Sequence, residues 1–213
     1  MKKYVLATLS VAALGLASQT VLAADVTVDA AAYDWSGPYV GVQAGYGWGD
    51  SRHTDDEGDT TGDFSIDGIL GGVTAGWNHQ ADDLVFGIEG DISAADIEGS
   101  TLNLCEDCQS EIDWLGTARL RAGFAMDSLL LFASGGLAVG GVSAELDADG
   151  FSGDDTNFGW TIGAGVELAA TESLSFKVEY LFVDLGSFEY SPDNIEAEFD
   201  ENHIVRAGIN WHF

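Results

Sequence analysis

Hydrophobic and polar residues alternate one by one along most of the sequence after residue 37. In the clearest segment the apolar positions are Trp114, Ala118, Leu120, Ala122 and Phe124, and the positions between them hold Leu115, Thr117, Arg119, Arg121 and Gly123. A period of two predicts a β-strand with two chemically different faces, because successive side chains of a strand point to opposite sides. No helical period reproduces this pattern.

Seven further segments follow the same rule. They cover residues 40–48, 69–78, 86–92, 129–140, 158–167, 175–182 and 205–213. Eight amphipathic strands of roughly ten residues are typical of an outer-membrane barrel. The sequence therefore predicts an all-β fold, an eight-stranded antiparallel up-and-down transmembrane β-barrel.

The connections between these strands alternate in length. Short links lie around Gln80, Asp127 and Glu172, and long acidic links lie around Asp56, Glu106, Asp149 and Asn194. Barrels of this class have short periplasmic turns and longer surface loops. We therefore expect the acidic loops on the cell surface.

A soluble eight-stranded barrel of the lipocalin type is the rival fold. Its apolar face would point inward and its other face would meet water. Here the other face is mostly Gly, Thr, Ser and Ala, whereas a water-facing surface normally carries about 25–35% charged residues. A face of small residues suits the crowded interior of an eight-stranded barrel better.

Aromatic residues cluster near both ends of the apolar face. One group is Trp48, Trp114, Phe158, Trp160 and Phe182, and the other is Trp77, Phe86, Phe124, Phe176, Trp211 and Phe213. Two such groups are expected as the aromatic girdles at the outer and inner membrane surfaces.

The N-terminus has the features of a secretory signal. Lys2 and Lys3 precede a short apolar core from Val5 to Leu16, and Val21-Leu22-Ala23 forms a small-residue cleavage site. The predicted organisation is a cleaved signal peptide (1–23), a periplasmic N-terminal segment (24–37) and the barrel (38–213). We expect export to the outer membrane of a Gram-negative cell.

Charge and composition exclude several classes of protein. The chain has 36 acidic and 7 basic residues and a formal net charge of −29, which argues against a nucleic-acid partner. A hydrophobic content of 46% argues against disorder. No stretch after the signal reaches 18 uninterrupted apolar residues, so no transmembrane helix is predicted.

Several longer motifs resemble a known family. They are WSGPYVGVQAGYGWG (35–49), DWLGTARLRAGFA (113–125), FGWTIGAGVELA (158–169), VEYLFVDLG (178–186) and the terminal RAGINWHF. These runs are similar to porin-family, opacity-like small surface antigens of alphaproteobacteria, and to the barrel domain of outer-membrane protein A. The resemblance implies a surface-exposed barrel. It also implies that the last strand, ending at Phe213, is presented to the barrel assembly machinery.

Charged residues on the small-residue face predict an ion-pair network inside the barrel. The network comprises Glu89, Asp91, Arg119, Arg121, Glu167, Lys177, Glu179 and Arg206. From strand adjacency we expect Arg119 and Arg121 to pair with Glu89 and Asp91, Glu167 with Lys177, and Glu179 with Arg206. Unpaired buried charges cost several kcal/mol, so a packed lumen requires such pairing. An ion-selective channel lined by the same charges is the alternative.

Cys105 and Cys108 form a C-x-x-C motif in an acidic loop. We expect a local disulfide in the oxidising envelope, because Glu106 and Asp107 disfavour a reactive thiolate. No metal site and no cofactor are predicted. A weaker alternative is that acidic loop residues bind divalent cations and so link the loops to lipopolysaccharide, the candidates being Asp147, Asp149, Asp154 and Asp155.

Catalysis is not predicted, although barrels of this size include lipid-modifying enzymes. His203 is the best-placed base, and Ser187 or Ser191 are weak nucleophile candidates. The preferred function is a monomeric structural protein of the envelope with possible surface interactions. The expected partners are outer-membrane lipid, lipopolysaccharide and the assembly machinery.

Overall fold

The computed structural model describes residues 33–54, 64–101, 108–146, 151–190, 195–198 and 202–213. Strands dominate this part of the chain. They are β1 (Gly37–Thr54), β2 (Phe64–Ala81), β3 (Leu84–Thr101), β4 (Cys108–Met126), β5 (Leu129–Leu146), β6 (Phe151–Ala169), β7 (Leu174–Asp184), β8 (Ser187–Tyr190), β9 (Ile195–Glu198) and β10 (Asn202–His212). No helix among the described residues has the length and hydrophobicity needed to cross a membrane.

Eight of these strands form a closed antiparallel barrel. Strands β1 to β7 pair in chain order, and β10 pairs with both β7 and β1. Val42 of β1 lies opposite Ile209 of β10, for example. This closure confirms the predicted fold. The hairpin β8–β9 was not predicted, and β9 pairs with β1 at residues 52–54, beyond the β1–β10 ladder.

The hydrophobic face points outward. Along β7, Phe176 and Val178 are exposed, whereas Lys177 and Glu179, which alternate with them, are buried. Leu120 and Leu137 are 69% and 70% exposed. Large contiguous apolar surfaces are rare on soluble monomers, whereas a lipid bilayer solvates them. The orientation therefore excludes the lipocalin-type alternative.

The short links lie together at one end of the barrel, as predicted. Asp82–Asp83 joins β2 to β3, and Asp127–Ser128 joins β4 to β5. Asp82 and Asp127 have φ angles of 54° and 52°, a left-handed conformation that Asp adopts more readily than most residues.

A register irregularity changes the alternation near the other end. The β3–β4 ladder shifts between Ala94 and Ile97, and the β4–β5 ladder shifts between Ile112 and Trp114. As a result Ile112 and Leu115, three residues apart, are both buried, whereas strict alternation would point them to opposite faces.

The interior has three layers. Towards the long connections lies an apolar cluster, the upper cap, which comprises Ile66, Leu70, Ile97, Ile112, Leu115, Ala138, Val142, Leu181, Val183, Leu185 and Ile204. The middle layer is charged. Near the short turns lies a second apolar cluster, the lower cap, which comprises Trp35, Val85, Ala125, Leu130 and Phe132. The inward face is thus more apolar than the predicted run of Gly, Thr, Ser and Ala.

Candidate functional site in the barrel interior

All eight predicted lumen residues meet in the middle layer. They come from β3, β4, β6, β7 and β10, and none is more than 9% exposed. Each occupies an inward position in a strand whose neighbouring residues face outward, so the period of two places them together once the barrel closes.

Glu89 is the acceptor at the centre of this layer. Lys177 Nζ lies 2.9 and 2.8 Å from its two carboxylate oxygens. The Tyr39 hydroxyl donates to Oε2 at 2.6 Å, and Arg121 contacts the same oxygen at 3.3 Å. Arg119 donates to Oε1. Since β3 and β7 are on opposite sides of the barrel, the Lys177–Glu89 pair crosses the lumen.

Two arginines hold the other acids of the layer. Arg206 donates to both oxygens of Asp91, at 2.9 and 3.1 Å, and its Nε donates to Glu179 at 2.9 Å. Arg119 bridges the same two acids, at 2.5 Å to Glu179 and 3.1 Å to Asp91. Thr117 also donates to Asp91, at 2.6 Å. Four strands are therefore tied together through two guanidinium groups.

Glu167 lies lower in the lumen and has mainly uncharged partners. Ser175 donates to Oε1 at 2.6 Å and Asn210 donates to it at 2.7 Å. Arg121 donates to Oε2 at 2.8 Å. His212 Nε2 is 3.4 Å from Oε1. Ser175, Asn210 and His212 are not part of the predicted network, because that prediction included only the charged residues of the inward face.

The predicted Glu167–Lys177 pair is wrong. The two residues are register partners on β6 and β7, but Lys177 Nζ reaches across the lumen to Glu89 instead. The oxygens of Glu167 already accept hydrogen bonds from Arg121, Ser175 and Asn210, whereas both oxygens of Glu89 accept from Lys177. The long lysine side chain makes the cross-barrel contact accessible.

The other predicted pairs are present, with additional partners. Arg119 contacts Glu89 and Asp91, and Arg121 contacts Glu89. Arg206 contacts Glu179, at 2.9 Å. The layer holds four carboxylates and four basic side chains, so its formal charges balance.

A short N-terminal segment closes the lower end of the lumen. Trp35 is fully buried, and its backbone N–H donates to Gln80 Oε1 at 2.8 Å. Its ring lies 5.7 Å from the ring of His212 and 4.6 Å from that of Tyr33. This part of the predicted periplasmic segment therefore packs inside the barrel end.

The start of that segment is fixed by a local turn. Asp34 accepts a hydrogen bond from the Ser36 backbone N–H at 2.9 Å. This hydrogen bond holds the pKa of Asp34 below its ordinary value, because it stabilises the ionised carboxylate.

The predicted girdle aromatics lie on the outward face of the barrel. Nine of them are exposed and two, Trp114 and Phe182, are half-buried. The predicted disulfide is not described, because Cys105 lies outside the described residues and only the backbone of Cys108 is described.

The other loop candidates also lie mainly outside the described part of the chain. Asp147, Asp149 and Ser191 are not described, and only the backbones of Asp154, Asp155 and Ser187 are. Within the described ranges no group of three or more His, Cys, Asp or Glu residues is arranged to hold a metal ion.

The histidines lie in two different environments. His203, the candidate base, faces outward, and its Nδ1 lies 2.7 Å from the Tyr180 hydroxyl. His212 Nε2 lies 2.9 Å from Ser175 Oγ inside the lumen. Glu167 approaches that same nitrogen rather than Nδ1, so the three residues lack the Ser–His–acid order of a hydrolase.

Comparison with known proteins identifies the family of this barrel. The family profile described as "Outer membrane protein beta-barrel domain" matches residues 9–213. The chain belongs to this family. Barrels of the family lie in the outer membrane, and this confirms the predicted location of the protein.

Relatives of this outer membrane beta-barrel include proteins of Brucella and Rhizobium. The 31 kDa outer-membrane immunogenic protein of Brucella melitensis is 34% identical, and the match covers 100% of both chains. The 22 kDa outer membrane protein of Rhizobium leguminosarum is 33% identical over 84% of this chain and 78% of the relative. The 25 kDa outer-membrane immunogenic protein of Brucella abortus is 30% identical over 85% and 80%.

Solved structures show the same fold. Neisserial surface protein A superposes with a TM-score of 0.50 and 18% identity, covering 84% of this chain and 98% of that chain. The outer membrane protein OprG of Pseudomonas aeruginosa superposes with a TM-score of 0.51 and 14% identity, covering 84% and 97%. At these identities the likeness concerns the barrel alone.

Proposed function

We propose that this outer membrane beta-barrel is a structural, surface-exposed protein of the envelope whose filled lumen carries no steady ion current. One observation carries the proposal, the charged layer in which every acid is bonded to a base from another strand. Charges held in pairs across the barrel cannot also line an open path.

The layers above and below the charges support the same conclusion. The upper cap fills the lumen with aliphatic side chains, and Leu181 and Ile66 in it are fully buried. The lower cap places Trp35 and Leu130 across the other end. An ion entering from either side therefore meets an apolar layer before it reaches the charged one.

Conductance in planar bilayers tests this proposal. We expect no steady current from purified protein under conditions in which a general porin conducts. The variant Arg206→Ala weakens the charged layer. It removes one of the cations that contact Asp91 and Glu179, and in a buried network this lowers the free energy of unfolding by about 3–5 kcal/mol. Val205→Ala, the lipid-facing neighbour on the same strand, is the matched control and should behave like wild type. Stable cation-selective conductance from the wild-type monomer would overturn the proposal.

The envelope role has its own test. Cells that lack the protein should become sensitive to detergent. A barrel with shortened acidic connections should restore resistance, because this role depends on the membrane-embedded wall. Failure of the shortened barrel, with rescue by the full chain, would assign the function to the loops instead.

Surface exposure is supported by the relatives whose names describe them as immunogenic. Antibodies raised against the segment 55–63 should bind intact cells. Binding only after permeabilisation would place that segment on the periplasmic side.

A non-enzymatic role is part of the proposal. It is supported by the position of Ser175, which is fully buried and whose hydroxyl is bonded to Glu167. Hydrolysis of lipid A by the purified barrel would contradict it.

A further inference from the structure

Two neighbouring strands of the barrel are not consecutive in the chain. They are β1, the first strand, and β10, the last, and their ladder runs from the pair Tyr39 and His212 to the pair Trp48 and His203. Each of the other neighbouring pairs of barrel strands is linked through a connection at one end. We call the β1–β10 junction the seam. Connections limit how far the other neighbours can separate, so the seam is the expected place of local opening.

The residues that precede β1 lie across the lower end of the seam. We call residues 33–36 the strap. On one side the strap is fixed to β2, where the Trp35 backbone N–H donates to Gln80 Oε1 at 2.8 Å and the Gln80 backbone N–H donates to Ser36 Oγ at 3.1 Å. Gln80 Nε2 donates to the Asp82 carbonyl oxygen at 2.9 Å, which orients the amide group. The strap is therefore anchored on the strand next to β1.

On its other side the strap contacts the last strand. The rings of Trp35 and Tyr33 pack edge-on against the ring of His212, with centroid distances of 5.7 and 5.9 Å. The Tyr39 ring of β1 lies 5.4 Å from the same imidazole. His212 is also held from β7, since its Nε2 lies 2.9 Å from Ser175 Oγ. The last residue of β10 thus joins the strap, β1 and β7, and the strap has contacts on both sides of the seam.

The pocket that receives Trp35 needs the complete barrel. One wall is formed by the lower-cap residues Val85, Leu130 and Phe132 of β3 and β5, and another is formed by His212 of β10. Trp35 is fully buried there, and an aromatic side chain buries about 150–250 Å². Before β10 pairs with β1 the pocket lacks one wall. Full burial of Trp35 therefore follows closure of the seam.

We propose that the strap is a latch for the seam, which docks after the last strand has closed the barrel and then slows reopening. A contact that forms only after the rate-limiting step lowers the opening rate and leaves the closing rate unchanged. The strap lies where the seam ends, beside the hydrogen bond that the Phe213 backbone N–H donates to the Pro38 carbonyl oxygen at 3.1 Å. The latch goes beyond the structural role proposed above, because the charged layer and the upper cap fill the lumen whether or not the strap is docked.

Hydrogen exchange of the purified full-length barrel in detergent, followed by mass spectrometry, tests the latch. In Trp35→Ala we expect the amides of β1 and β10 to exchange about tenfold faster relative to those of the β4–β5 hairpin, a factor that corresponds to two lost ring contacts. Leu130→Ala is the matched control, since it removes a fully buried side chain of the same cap from β5 and should not raise this ratio. Trp35→Phe keeps a ring and should retain most of the protection. Heat-modifiable gel mobility verifies that each variant is folded.

A disulfide across the seam provides a second test. Ala44 and Ala207 are register partners on the outward faces of β1 and β10. The double variant Ala44→Cys with Ala207→Cys is made in a background of Cys105→Ser and Cys108→Ser, so that the new disulfide has no competing thiol. Once oxidised, it should restore slow seam exchange to Trp35→Ala, because a covalent bond replaces the latch.

The control for this rescue crosslinks a hairpin instead of the seam. Ala122→Cys with Ala133→Cys joins outward register partners of β4 and β5, which a turn already links, and should leave the fast seam exchange of Trp35→Ala unchanged. Equal rescue by both disulfides would overturn the proposal, as would a seam-to-hairpin ratio that rises equally in Leu130→Ala and Trp35→Ala. Seam exchange that stays at the wild-type rate in Trp35→Ala would also overturn it, because the seam would then remain closed without the latch.

Discussion

Two adjacent glycines on β5 should respond in opposite ways to the same substitution. Gly135 faces the lipid, and a Cβ added there lies 3.6 Å from its nearest neighbour, the Thr161 carbonyl oxygen. Gly136 faces the lumen, and a Cβ added there would lie 2.1 Å from the Ala118 carbonyl oxygen and 2.7 Å from Arg119 Cα. Neither glycine has a positive φ, so alanine is compatible with both backbone conformations.

The expected energies follow from these distances. Gly135→Ala should stabilise the barrel by about 0.4–1 kcal/mol, because alanine restricts the unfolded chain and meets no obstacle. Gly136→Ala should destabilise it by about 1–3 kcal/mol, because β4 must shift to relieve the overlap. The two variants, which have the same composition, should therefore differ by about 1.5–4 kcal/mol.

Urea unfolding in lipid vesicles, followed by tryptophan fluorescence, measures both free energies. Gly71→Ala and Gly72→Ala on β2 provide a second pair, since their added Cβ atoms lie 3.8 and 2.1 Å from the nearest atoms. If the outward variants were the destabilised ones, the assignment of the two faces would be wrong. Equal effects within each pair would show that the interior is loosely packed.

Three other predictions concern the termini and the cysteines. Phe213→Asp should reduce the fraction of protein assembled in the outer membrane, measured by heat-modifiable mobility, and normal insertion would contradict a role in assembly. Trp35→Ala should lower the unfolding free energy by about 3–5 kcal/mol, whereas lipid-facing Trp211→Ala should have a smaller effect. A thiol label should modify Cys105 and Cys108 only after reduction; labelling without reductant would exclude the disulfide.

The strands were predictable because alternation is a local property of the sequence. In β7 every second residue from Phe176 to Phe182 is aromatic or apolar, and the structure places those residues on the outward face. The pattern was weakest where both faces are apolar. Leu129 to Phe132 form an uninterrupted apolar run, and only the alternation of the residues that follow places Leu130 and Phe132 on the inward side, where they form part of the lower cap.

The charged layer was predictable in its members and only partly in its partners. The eight residues were identified because they occupy the inward positions of the alternation. The pairing of neighbouring strands then identified contacts such as that of Glu179 with Arg206. The cross-barrel contact between Lys177 and Glu89 depends on strand stagger and lumen diameter, which a sequence pattern does not contain. Trp35 was missed because nothing in its local sequence indicates that it turns back into the barrel.

The balanced lumen has a consequence for how these barrels share a membrane. Because four acidic and four basic residues neutralise one another inside, the net charge of −29 belongs entirely to the remainder of the chain. Neighbouring copies therefore repel one another laterally wherever their charged segments approach within a screening distance, about 8 Å at physiological ionic strength. Low salt should keep the barrels dispersed across the bilayer, and divalent cations, which neutralise carboxylates in pairs, should allow them to crowd.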